Sequence, residues 1–406
     1  MFENLRQKEL WQRNLYILSF GTFMTGVGAS LVIPFLPLYI ESLGHYSKAE
    51  LSFHSGLIIA STYLTSAIAS PLWGKLADRK GRRPMMLRAS LGMGIIIFLM
   101  GFVTNVWQLL ILRLLLGAFS GYISNSTALM AIIVPKDKAG KALGTLSAWS
   151  TAGMLLGPLI GGVLAVHTGY RMTFSITGII MLFVFLLTWF YIKEDFTPKT
   201  RAKMAKNKVR LAEIPNIKIV IAMLVTMLVI QLSDKAITPM LSLYVRELAK
   251  NPDNVTMLTG LVASAPGLMM IFAAPFFGRL GDAVGQYKVL FYGLLLAFVL
   301  YVLLGFTNVI WQLLLLRLLV GISDAALAPS AQIIMAKYAP EEYKGRIFSY
   351  GQSMRSIGAV GGPIAGSAVA GYFDYRYVFF LSAFFIILNL INFGTSYKAL
   401  KAESTK

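Results

Sequence analysis

Long apolar blocks constrain this sequence more than any other feature. Twelve of them come close to or exceed 20 residues, and a helix of roughly 20 apolar residues spans a bilayer core of about 30 Å. They cover residues 15–39, 52–73, 85–103, 106–131, 142–166, 172–192, 217–244, 257–277, 287–306, 309–336, 346–370 and 376–396. A backbone in lipid must satisfy its own hydrogen bonds, and these blocks are continuous rather than alternating. Each is therefore predicted to be a transmembrane helix and not a barrel strand.

The charged residues predict the topology. Only 14% of the residues are charged, against about 25% in soluble domains. The net charge of +19 would suggest a nucleic-acid partner, but a cytoplasmic N-terminus places most of the 37 Lys and Arg on the cytoplasmic side. The predicted external loops then hold only Lys48, Arg171, Arg246, Lys250 and Arg376. We therefore expect a multi-pass protein of the cell membrane with both termini in the cytoplasm and no nucleic-acid partner. The first block is too long for a cleavable signal peptide.

The second half of the chain repeats the first. Residues 107–110, Trp-Gln-Leu-Leu, recur as 311–314, and Arg113 recurs as Arg317, 204 residues later. The segment 74–78 recurs as 278–282, and later landmarks recur at 205 residues. The predicted domains are a six-helix bundle at 1–193, a basic cytoplasmic linker at 194–216 and a second six-helix bundle at 217–406. Because six spans return the chain to its starting side, the two halves form a parallel repeat, as in the major facilitator fold.

Two stretches carry distinctive small and charged residues. Between spans two and three, residues 74–84 read Gly-Lys-Leu-Ala-Asp-Arg-Lys-Gly-Arg-Arg-Pro. There Gly74 permits close helix approach, Gly81 permits a tight turn, and Asp78 is placed to pair with arginines. In span five, residues 153–162 carry the glycines and the proline of a small-residue packing face, Gly153, Gly157, Pro158, Gly161 and Gly162. The alternatives are that the basic residues only fix topology and that the glycines only pack helices.

These stretches resemble the signature motifs of the major facilitator superfamily, and within it the twelve-span drug:proton antiporters of bacteria. The first resembles G-x-L-a-D-r-x-G-r-k, and the second resembles the antiporter motif G-x-x-x-G-P-x-x-G-G. The resemblance implies an all-α membrane protein of twelve helices in two pseudo-symmetric halves. It also implies a conformational latch formed by Gly74, Asp78, Arg79, Gly81, Arg82 and Arg83. Arg113, in span four, resembles the arginine that the family ties to proton transfer, although an arginine that anchors helix packing is an equal alternative.

Proton coupling needs a titratable group inside the membrane. Asp324 and Asp234 lie well inside spans, Glu41 lies at the outer end of span one, and Arg113 completes the set of coupling candidates. Burial favours the neutral form of a carboxyl, so such a group can take up and release a proton. Asp324 follows Arg317 by two helical turns and is the preferred candidate, while Lys235 is expected on a different face from Asp234. The alternative is that Asp234 and Asp324 are paired structural charges. Span one contains no acidic residue, unlike several drug antiporters, and this departure bears on the coupling mechanism and on any strict preference for cationic drugs.

A drug cavity should be apolar and aromatic with a few polar groups. For each candidate lining residue, ordinary helix packing is the alternative. The candidates are Met24, Asn125, Trp149, Gln231, Tyr244, Gln332, Tyr350, Gln352 and Arg355.

Three histidines, no cysteine and no P-loop argue against an enzyme, a metal site or a cofactor.

The resemblance implies proton-coupled export of lipophilic or amphipathic drugs, fluoroquinolone-like compounds among them, by a functional monomer. The alternative is an exporter of a sugar, metabolite or lysolipid that carries drugs incidentally. A membrane sensor is a third possibility, although a sensor usually carries an added soluble domain.

Overall fold

The computed structural model describes residues 2–135, 137–194, 217–249, 254–339 and 344–404, and these residues form helices joined by short turns. The helices before the predicted linker are α1 (Phe2–Ser30), α2 (Leu36–Glu41), α3 (Lys48–Lys80), α4 (Arg82–Met100), α5 (Val106–Phe119), α6 (Tyr122–Ile133) and α7 (Ala139–Tyr191). Those after it are α8 (Ile217–Ile237), α9 (Leu241–Leu248), α10 (Val255–Val284), α11 (Gln286–Leu304), α12 (Ile310–Tyr338), α13 (Lys344–Tyr372) and α14 (Tyr377–Ser404). A 3-10 turn, Ile33–Phe35, joins α1 to α2.

The helices account for twelve spans. Among the described residues, ten segments are long and apolar enough to cross a membrane. One of them, α7, has 53 residues, which at 1.5 Å per residue would extend about 80 Å, more than twice the bilayer core. Its backbone leaves the helical conformation at Gly169, with φ 76°, and this point divides it into spans five and six. The more polar α13, with 29 residues, is the remaining span. The predicted twelve-helix all-α fold is confirmed.

The internal repeat is visible in the backbone as well as in the sequence. Helices α4 and α11 have the same length, and each follows a glycine with positive φ, Gly81 at 93° and Gly285 at 95°. Span four of the first half and span ten of the second begin with the same cap: the Gln108 side-chain oxygen accepts the Thr104 amide at 2.8 Å, and Gln312 accepts that of Asn308 at 3.0 Å. Equivalent residues of the two halves can therefore be compared directly.

The chain groups into two compact units, and their boundary differs from the predicted one. The first unit contains Met1–Phe35 and Ser61–Met204, and the second contains Leu36–Ala60 and Ala205–Lys406. Residues 36–60, the outer ends of spans one and two, thus belong with the second half. Contacts such as that of Gly56 with the Pro363 carbonyl, where an added Cβ would stand 2.6 Å from the oxygen, account for this grouping. The predicted linker 194–216 lies outside the described residues except for Glu194.

Inside the first unit, the glycine motif of span five packs α7 against α1. A Cβ added at Gly153 would strike the Phe23 carbonyl, and one at Gly161 would strike the Leu31 carbonyl. At Gly157 it would collide with the Ser30 hydroxyl and stand 3.0 Å from the Val27 carbonyl. Pro158 and Gly162 are buried on the same helix. The small residues therefore let two backbones approach to a distance that no larger side chain permits.

Inside the second unit, the weaker echo of that motif forms the same kind of contact between α13 and α8. A Cβ at Gly358 would lie 2.5 Å from the Leu228 carbonyl, and one at Gly362 would lie 2.6 Å from the Leu232 carbonyl. The remaining helices of this unit pack as α12 against α10 and α11, and α14 against α8 and α11. This packing places α12 beside α8, which brings the charged residues of the two helices near each other.

We predict that Gly157→Leu destabilises the first unit and stops export. The leucine side chain would overlap α1, and overpacking of this kind costs roughly 1–3 kcal/mol. The measurement is the thermal unfolding midpoint of the purified protein together with drug efflux from cells. Gly144→Leu is the matched control, because it lies on the same helix and an added Cβ there meets no described atom within 4 Å. Equal behaviour of the two variants would contradict the packing role.

Candidate functional site

A group of charged side chains lies in the interior of the second unit. On α8, the Lys235 ammonium pairs with the Asp234 carboxylate at 2.8 Å. Asp324 of α12 lies within electrostatic range of Asp234, Lys235 and Arg317. Both carboxylates are only partly buried, so each borders accessible space instead of being sealed in packing. The predicted coupling candidates Asp234 and Asp324 are thus brought together.

Within this group, Asp234 and Asp324 differ in their partners. Asp234 is held by Lys235, whereas among the described residues Asp324 has no hydrogen bond or ion pair within contact distance. Arg317 is 6% exposed, and its Nε and Nη1 atoms have no hydrogen-bond partner in the described part of the chain. An unpartnered buried donor is costly, and its charge favours an ionised carboxylate nearby. Arg317 thus places a positive charge near Asp324, whereas Asp234 is already paired with the positive charge of Lys235.

Two features of this group depend on the reach of a side chain and on tertiary packing. Adjacent helical residues point about 100° apart, which is why Lys235 was expected away from Asp234. The long lysine side chain nevertheless reaches back to its neighbour, which is the local pairing that the adjacency of the two residues suggested. Tyr301 of α11 is buried within electrostatic range of both carboxylates and had not been singled out. Nothing in the local pattern around Tyr301 marks it, because only the packing of α11 on α12 brings it there.

Within the described residues, the equivalent region of the first unit carries cations and no carboxylate. Arg113 of α5 is 5% exposed, with an unpartnered Nε among the described residues, and its carbonyl accepts the Thr62 hydroxyl at 3.1 Å. Asp324 corresponds by the repeat to Ser120, where span four breaks between α5 and α6 at Gly121, with φ 121°. Arg88 donates to the freed Ser120 carbonyl at 2.9 Å. Sequence reasoning missed Arg88, although an arginine inside the apolar block 85–103 was a visible signal.

The predicted latch loop is organised by an acidic residue that the sequence analysis did not include. Asp78 pairs with Arg82 at 2.6 Å, as expected from its spacing. The Glu194 carboxylate accepts the backbone amides of Arg82 at 2.8 Å and Arg83 at 2.6 Å. These amides are the unsatisfied donors at the start of α4, a position where a negative charge is favourable. Glu194 therefore fastens the loop to the end of span six.

The remaining latch positions are less constrained. Arg79 is exposed, and Arg83 donates its Nη2 to the Trp189 carbonyl at 2.7 Å. Gly81 has the positive φ that its predicted turn requires. At Gly74, however, an added Cβ meets no described atom within 4 Å, so the close helix approach expected there is absent from the described structure.

Glu41 belongs to a charged cluster at the predicted external side, all of it in the second unit. Its carboxylate forms an ion pair with Arg246 of α9. Arg376 pairs with Asp374 at 3.4 Å, and the Lys48 ammonium lies 4.3 Å from the centre of the Tyr375 ring. The coupling candidate Glu41 is thus separate from the interior group and joins the outer end of span one to the second half.

Glu247, in the same external cluster, has a raised pKa. Glu247 is exposed as a residue, and the partial burial of its carboxyl is the main cause. The negative charge of Asp374 adds to it, against the opposing charges of Lys48, Arg376 and Arg246. The cluster therefore contains one acid that holds its proton to higher pH than an isolated glutamate does.

The predicted cavity residues divide into three groups. Tyr244 and Asn125 are buried and already bonded: Tyr244 donates to the Thr307 carbonyl at 2.8 Å, and Asn125 donates to the Gly121 carbonyl at 2.8 Å. The Tyr244 hydroxyl therefore bonds the backbone of a residue distant in the chain, and the Asn125 amide bonds the backbone of the preceding turn; their place in a drug cavity stays a prediction. Partly buried residues are Met24, Gln231, Gln332 and Arg355. Exposed residues are Trp149, Tyr350 and Gln352.

Comparison with known proteins gives one consistent result. Residues 18–251 and 223–405 match the model of the Major Facilitator Superfamily. Multidrug resistance protein MdtG of Salmonella heidelberg (strain SL476) is 46% identical over 381 residues, which cover 94% of each chain. A bacterial homologue of the human lysosomal transporter Spinster superimposes with a TM-score of 0.79 at 12% identity, covering 95% of this chain and 96% of the other. The human organic anion transporter MFSD10 (TETRAN) superimposes with a TM-score of 0.69 at 18% identity, covering 94% of this chain and 99% of the other. These two structures share the fold.

We predict that Glu247→Gln stabilises the protein at neutral pH and not in acid. The folded protein binds the Glu247 proton more tightly than the unfolded chain, so stability falls as pH rises from the ordinary pKa of 4.5 through the raised value. Glutamine does not ionise, so the variant does not lose stability as the pH rises through this range. The measurement is the difference in thermal unfolding midpoint between variant and wild type at pH 4 and pH 8. A difference that is the same at both pH values would point to packing and contradict the titration.

Proposed function

Because the chain belongs to the major facilitator superfamily, we propose that it is a multidrug efflux transporter that exports lipophilic or amphipathic compounds in exchange for protons. The support for drug export is end-to-end similarity to a multidrug resistance protein at 46% identity. The glycine motif of span five, whose resemblance implies an exporter, packs tightly on α1. Fluoroquinolone-like compounds are among the candidate substrates. The protein acts as a monomer with both termini in the cytoplasm.

The observation that carries the proton-coupling proposal is the unequal pairing of the two interior carboxylates. Asp234 has Lys235 at 2.8 Å, so its charge is neutralised in place. Asp324 lacks such a contact among the described residues and lies near a buried arginine with unpartnered donors. A carboxyl in this setting exchanges a proton at small structural cost, because neither state breaks an existing ion pair. Asp324 is therefore the proposed coupling site, and Asp234 with Lys235 is a structural pair.

The roles of the arginines follow from the same arrangement. Arg317 stabilises the Asp324 carboxylate after its proton leaves. Arg113, its repeat counterpart, is without a carboxylate of equivalent position, since Ser120 stands where the second half has Asp324. We assign proton coupling to the second half, and to Arg113 the role of holding α5 in the first.

The drug contacts are proposed to come from the partly buried and exposed candidates and not from Tyr244 or Asn125. Trp149 of α7 is 46% exposed and stands edge-on to Phe23, with ring centres 5.7 Å apart. Tyr350 and Gln352 of α13 are exposed in the second unit. Aromatic and amide side chains of this kind accept varied apolar molecules and orient them with few hydrogen bonds.

The loop between α3 and α4 is proposed as the conformational latch of the cytoplasmic side. Glu194 and the turn at Gly81 fix its backbone within the first unit, and Asp78 and Arg79 remain exposed for a moving partner. This division into a fixed base and exposed charges suits a contact that is made and broken in each transport cycle.

We predict that Asp324→Asn abolishes uphill export and preserves downhill drug movement, because the pathway remains while the exchangeable proton is lost. Asp234→Asn is the comparison variant. It removes the ion pair between Asp234 and Lys235, so it should lower stability but retain drug accumulation driven by a pH gradient. The measurement is drug uptake in everted vesicles with and without an imposed pH gradient. If Asp324→Asn still concentrates drug against its gradient, the assignment is wrong.

We also predict that Asp78→Asn reduces export while the protein still inserts and folds. The Asp78 side chain is 68% exposed, and an exposed ion pair contributes about 0–1 kcal/mol to stability. Any large loss would therefore come from the transport cycle. Asp282→Asn, at the repeat position without the arginine-rich end, should have a smaller effect. The measurement is efflux at matched expression, and wild-type efflux by Asp78→Asn would remove the latch from the mechanism.

A further inference from the structure

A cavity of about 370 Å³ lies between α10, α11 and α12 of the second unit. It falls within the range of small-molecule sites, about 300–1,000 Å³. Its lining is mostly apolar and includes Phe277, Tyr292, Leu296 and Ser323, with Lys288 as its charged member. It is separate from the candidate drug-lining residues, none of which borders it.

Comparison with the first half explains why this cavity exists. The repeat places Phe119 at the position of Ser323, and the Phe119 ring packs against Gly92, with a ring carbon 2.7 Å from where a Cβ of Gly92 would stand. In the second half, Ser323 replaces this ring. The repeat also places Leu296 at the position of Gly92, so the second half has lost the phenyl group and has gained a leucine, which forms one wall of the cavity.

A second pair of substitutions widens the difference. In the first half, the guanidinium of Arg88 lies over the Trp73 ring at 3.7 Å and closes the space beside span four. The repeat places Tyr292 and Phe277 at these positions, and both side chains line the cavity. Tyr292 is 64% exposed, so it stands outward and does not close the opening.

The mouth of the cavity opens on a lipid-facing surface. Apolar side chains spaced by three and four residues are exposed along α11, which is the pattern of a helix face against hydrocarbon. They are Tyr292, Leu295, Leu296, Val299 and Leu303. Tyr292 and Leu296 belong both to this stripe and to the cavity lining, so a molecule in the bilayer reaches the cavity directly.

Lys288 determines which membrane molecule fits. It is exposed in the first turn of α11, at the end of the helix that the topology places in the cytoplasm. Lysine side chains near helix ends extend toward the lipid headgroups, and cytoplasmic leaflets are rich in anionic lipids. A cationic drug would be repelled here, whereas a phosphate would be attracted.

We propose that this cavity holds one acyl chain of an anionic phospholipid, with the headgroup phosphate paired to Lys288. The chain fills the apolar space that Phe119 fills in the first half. Because the inner wall is the α12 segment at Ser323, next to Asp324, the bound lipid supports the helix that carries the proposed coupling carboxylate. The lipid assignment rests on the apolar cavity and on the positive charge of Lys288. It does not depend on whether the protein exports drugs.

The test is native mass spectrometry of the purified protein with phosphatidylglycerol or phosphatidylcholine of identical acyl chains. Ser323→Leu refills the cavity and should lose the retained lipid. Lys288→Gln should bind phosphatidylglycerol no better than phosphatidylcholine, a loss of roughly fivefold in preference for one lysine. Lys337→Gln is the matched control, because Lys337 lies 5.8 Å from the Tyr338 ring much as Lys288 lies 5.9 Å from that of Tyr287, but it does not line the cavity.

Each result decides the proposal. Lipid retention by Ser323→Leu equal to that of wild type, or unchanged preference in Lys288→Gln, would overturn it. A Ser323→Leu protein that keeps its lipid but loses affinity for a fluorescent drug would assign the cavity to substrate instead. If Ser323→Leu unfolds, as judged by its thermal unfolding midpoint, the Lys288→Gln and Lys337→Gln pair still decides the question.

Discussion

The fold depends on the requirement that every backbone polar group in the bilayer finds a partner within the protein. Helices meet this requirement locally, and the exceptions show how strict it is. Where span four breaks at Ser120 and Gly121, the freed Ser120 carbonyl is taken up by Arg88. Where α4 begins, its first amides are taken up by Glu194. At Ser120 a charged side chain takes the place of water within span four, and at the cytoplasmic start of α4 another charged side chain satisfies the amides that the helix end leaves free.

Duplication gave the chain two similar scaffolds, and the differences between them indicate where function resides. Helices α4 and α11 have the same length, and their preceding glycines and neighbouring glutamine caps occupy corresponding positions of the repeat. The halves diverge beside span four and its counterpart. There the first half has Arg88, Phe119 and Ser120, and the second has Tyr292, Ser323 and Asp324. In the first half this region is packed with side chains and carries a cation, whereas in the second half it contains a carboxylate and an adjoining cavity. A pseudo-symmetric protein needs such asymmetry if one ion is to be bound at one place.

The sequence predicted the architecture well because apolar length, charge asymmetry and internal repetition are properties of continuous segments. The twelve spans and the glycine contacts of Gly153, Gly157 and Gly161 followed from spacing alone. Side-chain partners depended on tertiary packing and were harder. Glu194 was assigned to the linker because nothing in the neighbouring sequence connected it with α4. The burial of Tyr244 could not be predicted because it depends on Phe379, which is distant in the chain. The grouping of residues 36–60 with the second half likewise comes from long-range contacts.

The interior charges of the second half suggest how protonation and access are connected in the proposed mechanism. When Asp234, Lys235, Arg317 and Asp324 are all ionised, their charges sum to zero, so the group leaves no net charge in the low dielectric. Protonation of Asp324 leaves a net positive charge near a buried arginine. That state is relieved either by release of the proton or by a change that admits water to Arg317. A cationic drug near the protonated group would add a further unfavourable charge, so proton and cation favour different states of the same site. Exchange of one for the other needs no direct contact between them.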